Sequence, residues 1–350
     1  MSVLERPVTT DAAAAVHAVR IRVRRRRLVV GSALGLVLLV VAAVSLSVGD
    51  YALAPAELWR TLWGGGTRVE AYVVFDIRAP RVAMALVVGA SLGVAGALLQ
   101  SLLSNPLASP DLLGISGGAG VAAVFGLLVL GVGGPWLALL AFAGGLVVAA
   151  FLLLAGRRRA DGDDRLIIAG IGVSFLCLAL TSYLLVKAQV ELAQSALIWL
   201  TGSLASTPWW NVAVVLAVGV AAAPAVVVCA RWLPLTQLGP GTAVSLGVQP
   251  GVVRTTAVLA AVLLTATSTA FVGPISFIAL CAPAIARPLL GHGALGIGTS
   301  AAVGAALLTT ADLVAQYALP GVSLPVGVVT GALGAIFLLW LLSASKGRQL

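Results

Sequence analysis

Long apolar stretches broken by short polar ones set the pattern of this chain. Leu28 to Val48 is a 21-residue apolar run, and others follow at about 81–103, 112–131, 135–155, 166–188, 211–231, 253–271, 275–290, 296–317 and 324–342. A helix needs about 20 apolar residues to cross a bilayer core, so the pattern predicts an all-α polytopic protein with ten transmembrane helices. The run at 275–290 is the weakest, being short and interrupted by Pro283 and Pro288. Leu28–Val48 is longer than the roughly 7–15 apolar residues of a signal peptide and reads as an uncleaved first span. Two stretches between spans exceed simple turns. Residues 49–80 carry Trp59, Trp63, Tyr72 and Phe75 and are expected along the outer membrane–water interface. Residues 232–252 form the longest internal loop on the opposite side.

One stretch organises the rest, from Arg78 to Gly120. Arg78 and Arg81 bracket Pro80 just outside the second span. Gly89, Gly93 and Gly96 follow and fall near one helix face, where missing side chains let a neighbouring helix come close in lipid. Gln100 completes this run. Asn105-Pro106 and Pro110-Asp111 then break the helix, because proline lacks an N–H and restricts the residue before it. A second small-residue run opens at Leu112. Gly327, Gly331 and Gly334 repeat the earlier glycine spacing, as an internal repeat or as a chance echo.

Composition excludes a soluble domain: 60% of residues are hydrophobic and 9% charged, against about 25% charged in soluble proteins. The net charge of +9 does not point to nucleic acid, because the basic residues cluster beside apolar runs. Arg20, Arg22 and Arg24 to Arg27 precede the first span, and Arg157 to Arg159 occupy a short loop. With the N-terminus inside, 16 of the 21 Lys and Arg fall on the cytoplasmic side. The positive-inside rule thus predicts N-in, C-in, with residues 1–27 and 344–350 as cytoplasmic tails and 28–343 as a single transmembrane domain.

The chemistry that is missing narrows the function. Lys187 and Lys346, the only lysines, follow Val186 and Ser345, so no P-loop is present and any ATP is bound by another chain. His17 and His292 suggest neither a metal site nor a Ser-His-Asp site, and no enzyme is indicated. Cys177, Cys229 and Cys281 sit far apart in apolar surroundings, as small buried hydrophobes do. Asp312 is the only acid well inside a span. A secondary carrier normally needs several such groups, so Asp312 reads better as a hydrogen-bonding partner of a neighbouring helix than as a relay.

The motifs also carry a resemblance. R-x-P-R at 78–81, then G-A-x-L-G-x-x-G-x-x-x-Q ending at Gln100, then N-P-L-A-x-P from Asn105, closely resemble the FecCD-type (BtuC-like) permeases. So do Trp199–Leu204, Gly273–Leu280 followed by Ala282-Pro283 and Arg287, Ala311-Asp312, and Leu324–Gly331. The similarity covers about 28–343. It implies a type II permease of an ABC importer, most simply for a ferric siderophore, with haem or cobalamin permeases as alternatives and an ion-coupled secondary carrier as a more distant one. It further implies a second permease subunit, of the same or a homologous chain, enclosing the pathway. An ABC ATPase dimer carrying ATP and Mg would dock beneath, and an extracytoplasmic siderophore-binding protein outside. By this resemblance Arg78, Arg81 and Gln316 would meet the binding protein. Val244, Ser245, Leu246, Gly247 and Val248 would grip the ATPase. Gly89, Gly93, Gly96, Gln100, Asn105, Pro106, Gly273 and Pro274 would serve helix packing and the pathway. No cofactor is implied on this chain. Three departures stand out: Gly239-Pro240-Gly241 where relatives have a helical, often acidic stretch, Ala284 where many have histidine, and Gln316 where B12-type relatives have arginine.

Overall fold

The computed structural model describes residues 8–156, 162–291, 295–319 and 322–346. Arg157 to Arg159, His292 and the last four residues lie outside the described residues, as do residues 1–7. The elements are α1 (Val8–Ser47), α2 (Pro55–Leu62), α3 (Arg68–Ala71), α4 (Ala79–Leu102), α5 (Ile115–Phe125), α6 (Gly134–Gly156) and α7 (Gly162–Lys187). Then come α8 (Val190–Leu200), α9 (Trp209–Thr236), α10 (Pro240–Ser245), α11 (Pro250–Val272), α12 (Ile278–Leu290), α13 (Ile297–Tyr317) and α14 (Val326–Lys346). Among the described residues, seven helices are long and apolar enough to cross a membrane, and four shorter apolar helices accompany them.

The differences from the ten expected spans have local causes. The second span does not begin at 81. Thr67 and Glu70 form a reciprocal cap, each side chain meeting the other's backbone N–H, and a single rod runs from Arg68 to Leu102. Pro80 cannot donate within that rod. Just ahead of it the helix widens to a π-turn over Tyr72–Arg78, with the Ala79 N–H bonded to Val74 O five residues back. The short α8 falls in a stretch where the apolar pattern predicted no helix. The expected run at 275–290 is helical only from Ile278, and 13 residues rise only about 20 Å, short of the roughly 30 Å apolar core.

Residues 273–277 are therefore irregular, non-helical backbone inside the bundle, with Gly273 and Phe277 at positive φ. Backbone off a helix is tolerated at membrane depth only where protein satisfies it. Here the Gly273 N–H donates to Thr269 O, the Ile278 N–H to Ser276 O, and the Leu280 and Cys281 N–H groups to Phe277 O. Gly273 (φ +75°) lies so close to Trp199 O and Gly202 that a side chain would collide with them.

Helix α4 is the centre of the molecule. The apolar windows of α4 and α11 are each 72% buried, whereas no residue in that of α1 is buried. A Cβ at Gly89 would strike the Gly304 carbonyl, one at Gly93 the Ser300 carbonyl, and one at Gly96 the Ala279 carbonyl. So α13 and the start of α12 lie directly on the α4 backbone. Packing at this distance is the principal attraction between helices in lipid, where no hydrophobic effect drives them together.

Candidate functional site

The two ends of α4 carry the chemistry. At one end, which also holds the exposed Trp59, Trp63 and Trp210, α4 meets the ends of α1 and α13. Arg78 is buried, and its guanidinium donates to Leu46 O (2.7 Å), Ser47 O (3.1 Å) and Tyr51 O (2.7 Å). The last carbonyls of a helix lack intrahelical partners and carry partial negative charge, so Arg78 satisfies and complements the end of α1. Gly49 is required beside it, since a Cβ there would overlap the guanidinium.

Arg81 faces α13 instead. Its Nε lies 2.9 Å and its Nη2 2.8 Å from the two carboxylate oxygens of Asp312, a side-on bidentate pair. Charge-assisted forks of this kind are the stronger hydrogen bonds in proteins. Asp312 has 4% of its side chain exposed, so an unpaired charge there would be costly. Gln316, one turn along α13, donates Nε2 to the same carboxylate at 2.8 Å, and the Tyr317 hydroxyl donates to Val48 O at 3.0 Å. A cavity of about 480 Å³ opens over this cluster, bordered by Asp50, Tyr51, Arg78, Arg81, Gln316 and Tyr317. The structure thus brings Arg78, Arg81 and Gln316 to one place, and engages all three within the chain. Asp312 as the partner of Arg81 escaped the sequence reading. Its position one turn before Gln316 was the available signal, because residues four apart share a helix face.

At the other end, α4 stops at Leu102, and Asn105 forms an Asx turn by accepting the Leu107 N–H at 2.9 Å, ahead of the exposed Pro106. Gln100 is 1% exposed and donates Nε2 to Leu280 O at 3.1 Å. Away from this end, in the non-helical stretch described above, Pro274 packs its carbonyl against Gly202. The segment between α9 and α11 folds as the six-residue α10 and a turn at Gly247 (φ +80°). Ala243 and Val248 are buried and hold it to the core, joined by a Val248 N–H to Ala243 O bond. Val244 and Leu246, 62% and 55% exposed, project from it with Ser245 between them and Gly247 just after. The result is an apolar knuckle fixed at both feet. Gln237, just before α10, donates to Ser101 O at 3.0 Å, and Arg287 of α12 donates to the Ser101 hydroxyl at 3.1 Å. The sequence reading named neither contact. No cluster of three or more His, Cys, Asp or Glu suited to a metal occurs among the described residues.

Comparisons with known proteins agree along most of the chain. The model of the FecCD transport family matches residues 36–344. The chain is 40% identical over 325 residues to the ferric enterobactin transport system permease protein FepG of Escherichia coli K12, covering 93% of this chain and 98% of that one. It is 38% identical over 310 residues to the achromobactin transport system permease protein CbrC of Dickeya dadantii, covering 88% and 89%. Among solved structures, a metal-chelate type ABC transporter in an inward-facing conformation superposes with a TM-score of 0.79 at 26% identity, covering 89% of this chain and 98% of that one.

Proposed function

Because this chain belongs to the FecCD transport family, we propose that it is the permease subunit of an ABC importer carrying a ferric siderophore across the cytoplasmic membrane. It is a multi-pass membrane transport subunit, and in this family the ATPase is a separate chain. The observation that carries the reading is similarity over nearly the full length to permeases named for ferric siderophores. In this reading ten helices span the bilayer, α8 being the apolar helix that does not, with both termini in the cytoplasm.

Each end of α4 then takes a role. The end with Arg78, Arg81 and Gln316 faces outward and receives the siderophore-binding protein. Supporting this, Asp312 fills only the Nε and Nη2 edge of Arg81, so the Nη1 edge remains to meet a carboxylate entering the cavity. Arg78, with both Nη groups committed to α1 and its loop, positions that rim rather than docking itself. The end with Val244 to Val248 faces the ATPase, whose dimer binds ATP and Mg. The exposed apolar residues of α7 and α14, among them Phe175, Tyr183, Ile336 and Leu339, face a second permease subunit across the pathway.

The test is uptake by a strain deleted for this chain. Expression of the chain with its ATPase and binding protein should restore ATP-dependent accumulation of iron offered as a siderophore complex. Restored accumulation of cobalamin or haem, with none of any siderophore, would reassign the substrate. Uptake that persists after ATP depletion would instead indicate an ion-coupled carrier.

A further inference from the structure

The inner end of α4 is tied in a way that the docking reading does not require. Ser101 stands in the last turn of α4, where backbone carbonyls have no partner in their own helix. Its carbonyl is satisfied from outside by Gln237, at the junction of α9 and α10. Its hydroxyl donates back to Ala97 O at 2.6 Å and accepts from Arg287, in the last turn of α12. Arg287 has no ion-pair partner among the described residues, and its positive charge lies beside the negative end of the α4 dipole. Three helices and the root of the 240–248 segment thus meet on one residue. Below the node, Ala243 and Val248 belong to the same buried cluster as Leu98 and Leu99 of α4 and Leu103 just after it. Above it, α4 lies backbone to backbone on α13 and is joined to it by Arg81–Asp312.

We propose that Gln237 and Arg287 are positioning residues that carry displacement of the 240–248 segment into α4, and through α4 and α13 as one body to the outer rim. This deepens the permease reading and depends on it. The route is contiguous and made of discrete contacts, each of which can be removed separately. Gln237 is exposed, and its bond joins neutral groups, worth roughly 1 kcal/mol to stability. Its loss should therefore spare the fold and act on coupling.

The experiment uses the whole complex, with ATPase and binding protein, reconstituted in proteoliposomes. Wild type is compared with Gln237→Ala, Gln237→Glu, Ser101→Ala, Arg287→Ala and Arg287→Lys. The readouts are substrate imported per ATP hydrolysed, stimulation of hydrolysis by the binding protein, co-purification of the ATPase, and thermal unfolding. In Gln237→Ala and Arg287→Ala, import per ATP should fall roughly five- to tenfold and stimulation should weaken, with the ATPase still bound. Arg287→Lys, which retains a donor and a charge, should recover part of the ratio. An unchanged ratio in both alanine variants would overturn the proposal, leaving a simple helix cap. Loss of the ATPase from both would also overturn it, making the node an assembly contact. If wild type itself recruits no ATPase, the permease reading fails instead.

Discussion

The two ends of α4 are held by opposite means. At the aromatic end, a bidentate ion pair with a nearly buried carboxylate and a buried guanidinium on three carbonyls fix it to α13 and α1. At the Ser101 end, one amide–carbonyl bond and one arginine–hydroxyl bond tie it to the α9–α10 junction and α12. Breaking the first set leaves charge or carbonyls stranded in a dry setting. Breaking the second returns the exposed Gln237 amide to water but leaves the buried Ser101 with a carbonyl or hydroxyl short of one partner. The contrast is one of bond strength, with multidentate bonds from guanidinium groups at one end and single bonds to one serine at the other.

The comparison can be broken most severely between the ends, on the glycine seam. Gly96→Leu should abolish a folded, extractable protein, because even a Cβ there meets the Ala279 carbonyl, whereas Gly331→Ala, with open space around it, should leave the yield unchanged. Size-exclusion profiles of the solubilised variants would decide. Next in size, Asp312→Ala strands Arg81, whose side chain is 20% exposed. That partial access to water lowers the expected loss to about 2–4 kcal/mol, read as a fall in unfolding temperature. Arg78→Lys keeps the charge but cannot reach three carbonyls at once, and should cost about 1–2 kcal/mol. Smallest is Gln237→Ala, whose unfolding should shift by about 1 kcal/mol or less. A larger loss there than for Arg78→Lys would erase the distinction between the ends.

The sequence carried much of this in its periodicity, because lipid imposes length and apolarity on each crossing helix. The glycine spacing at 89, 93 and 96 marked a face, and the structure lays α13 and α12 on it. What stayed hidden was pairing. Arg81 and Asp312 stand 231 positions apart, and nothing local in either span names the other. The same is true of Gln237 and Ser101, 136 positions apart. Arg78 was misleading for a different reason. Its place outside an apolar run implied solvent, but the π-turn before Pro80 and the returning end of α1 enclose it. The 273–277 stretch reads as apolar either way, so only its backbone geometry, with Gly273 and Phe277 at positive φ, tells that it is not helical.

Whether the aromatic end of α4 is fixed by the chain itself is tested most directly by a double-mutant cycle on Arg81 and Asp312. Wild type, Arg81→Ala, Asp312→Ala and the double variant would be unfolded in the same lipid and at the same salt. If the pair fixes α4 to α13, the double variant is no less stable than Asp312→Ala alone, and the coupling is about 1.5 kcal/mol or more. Additive losses, with coupling near zero, would contradict it and return Arg81 to service as an unattached docking group.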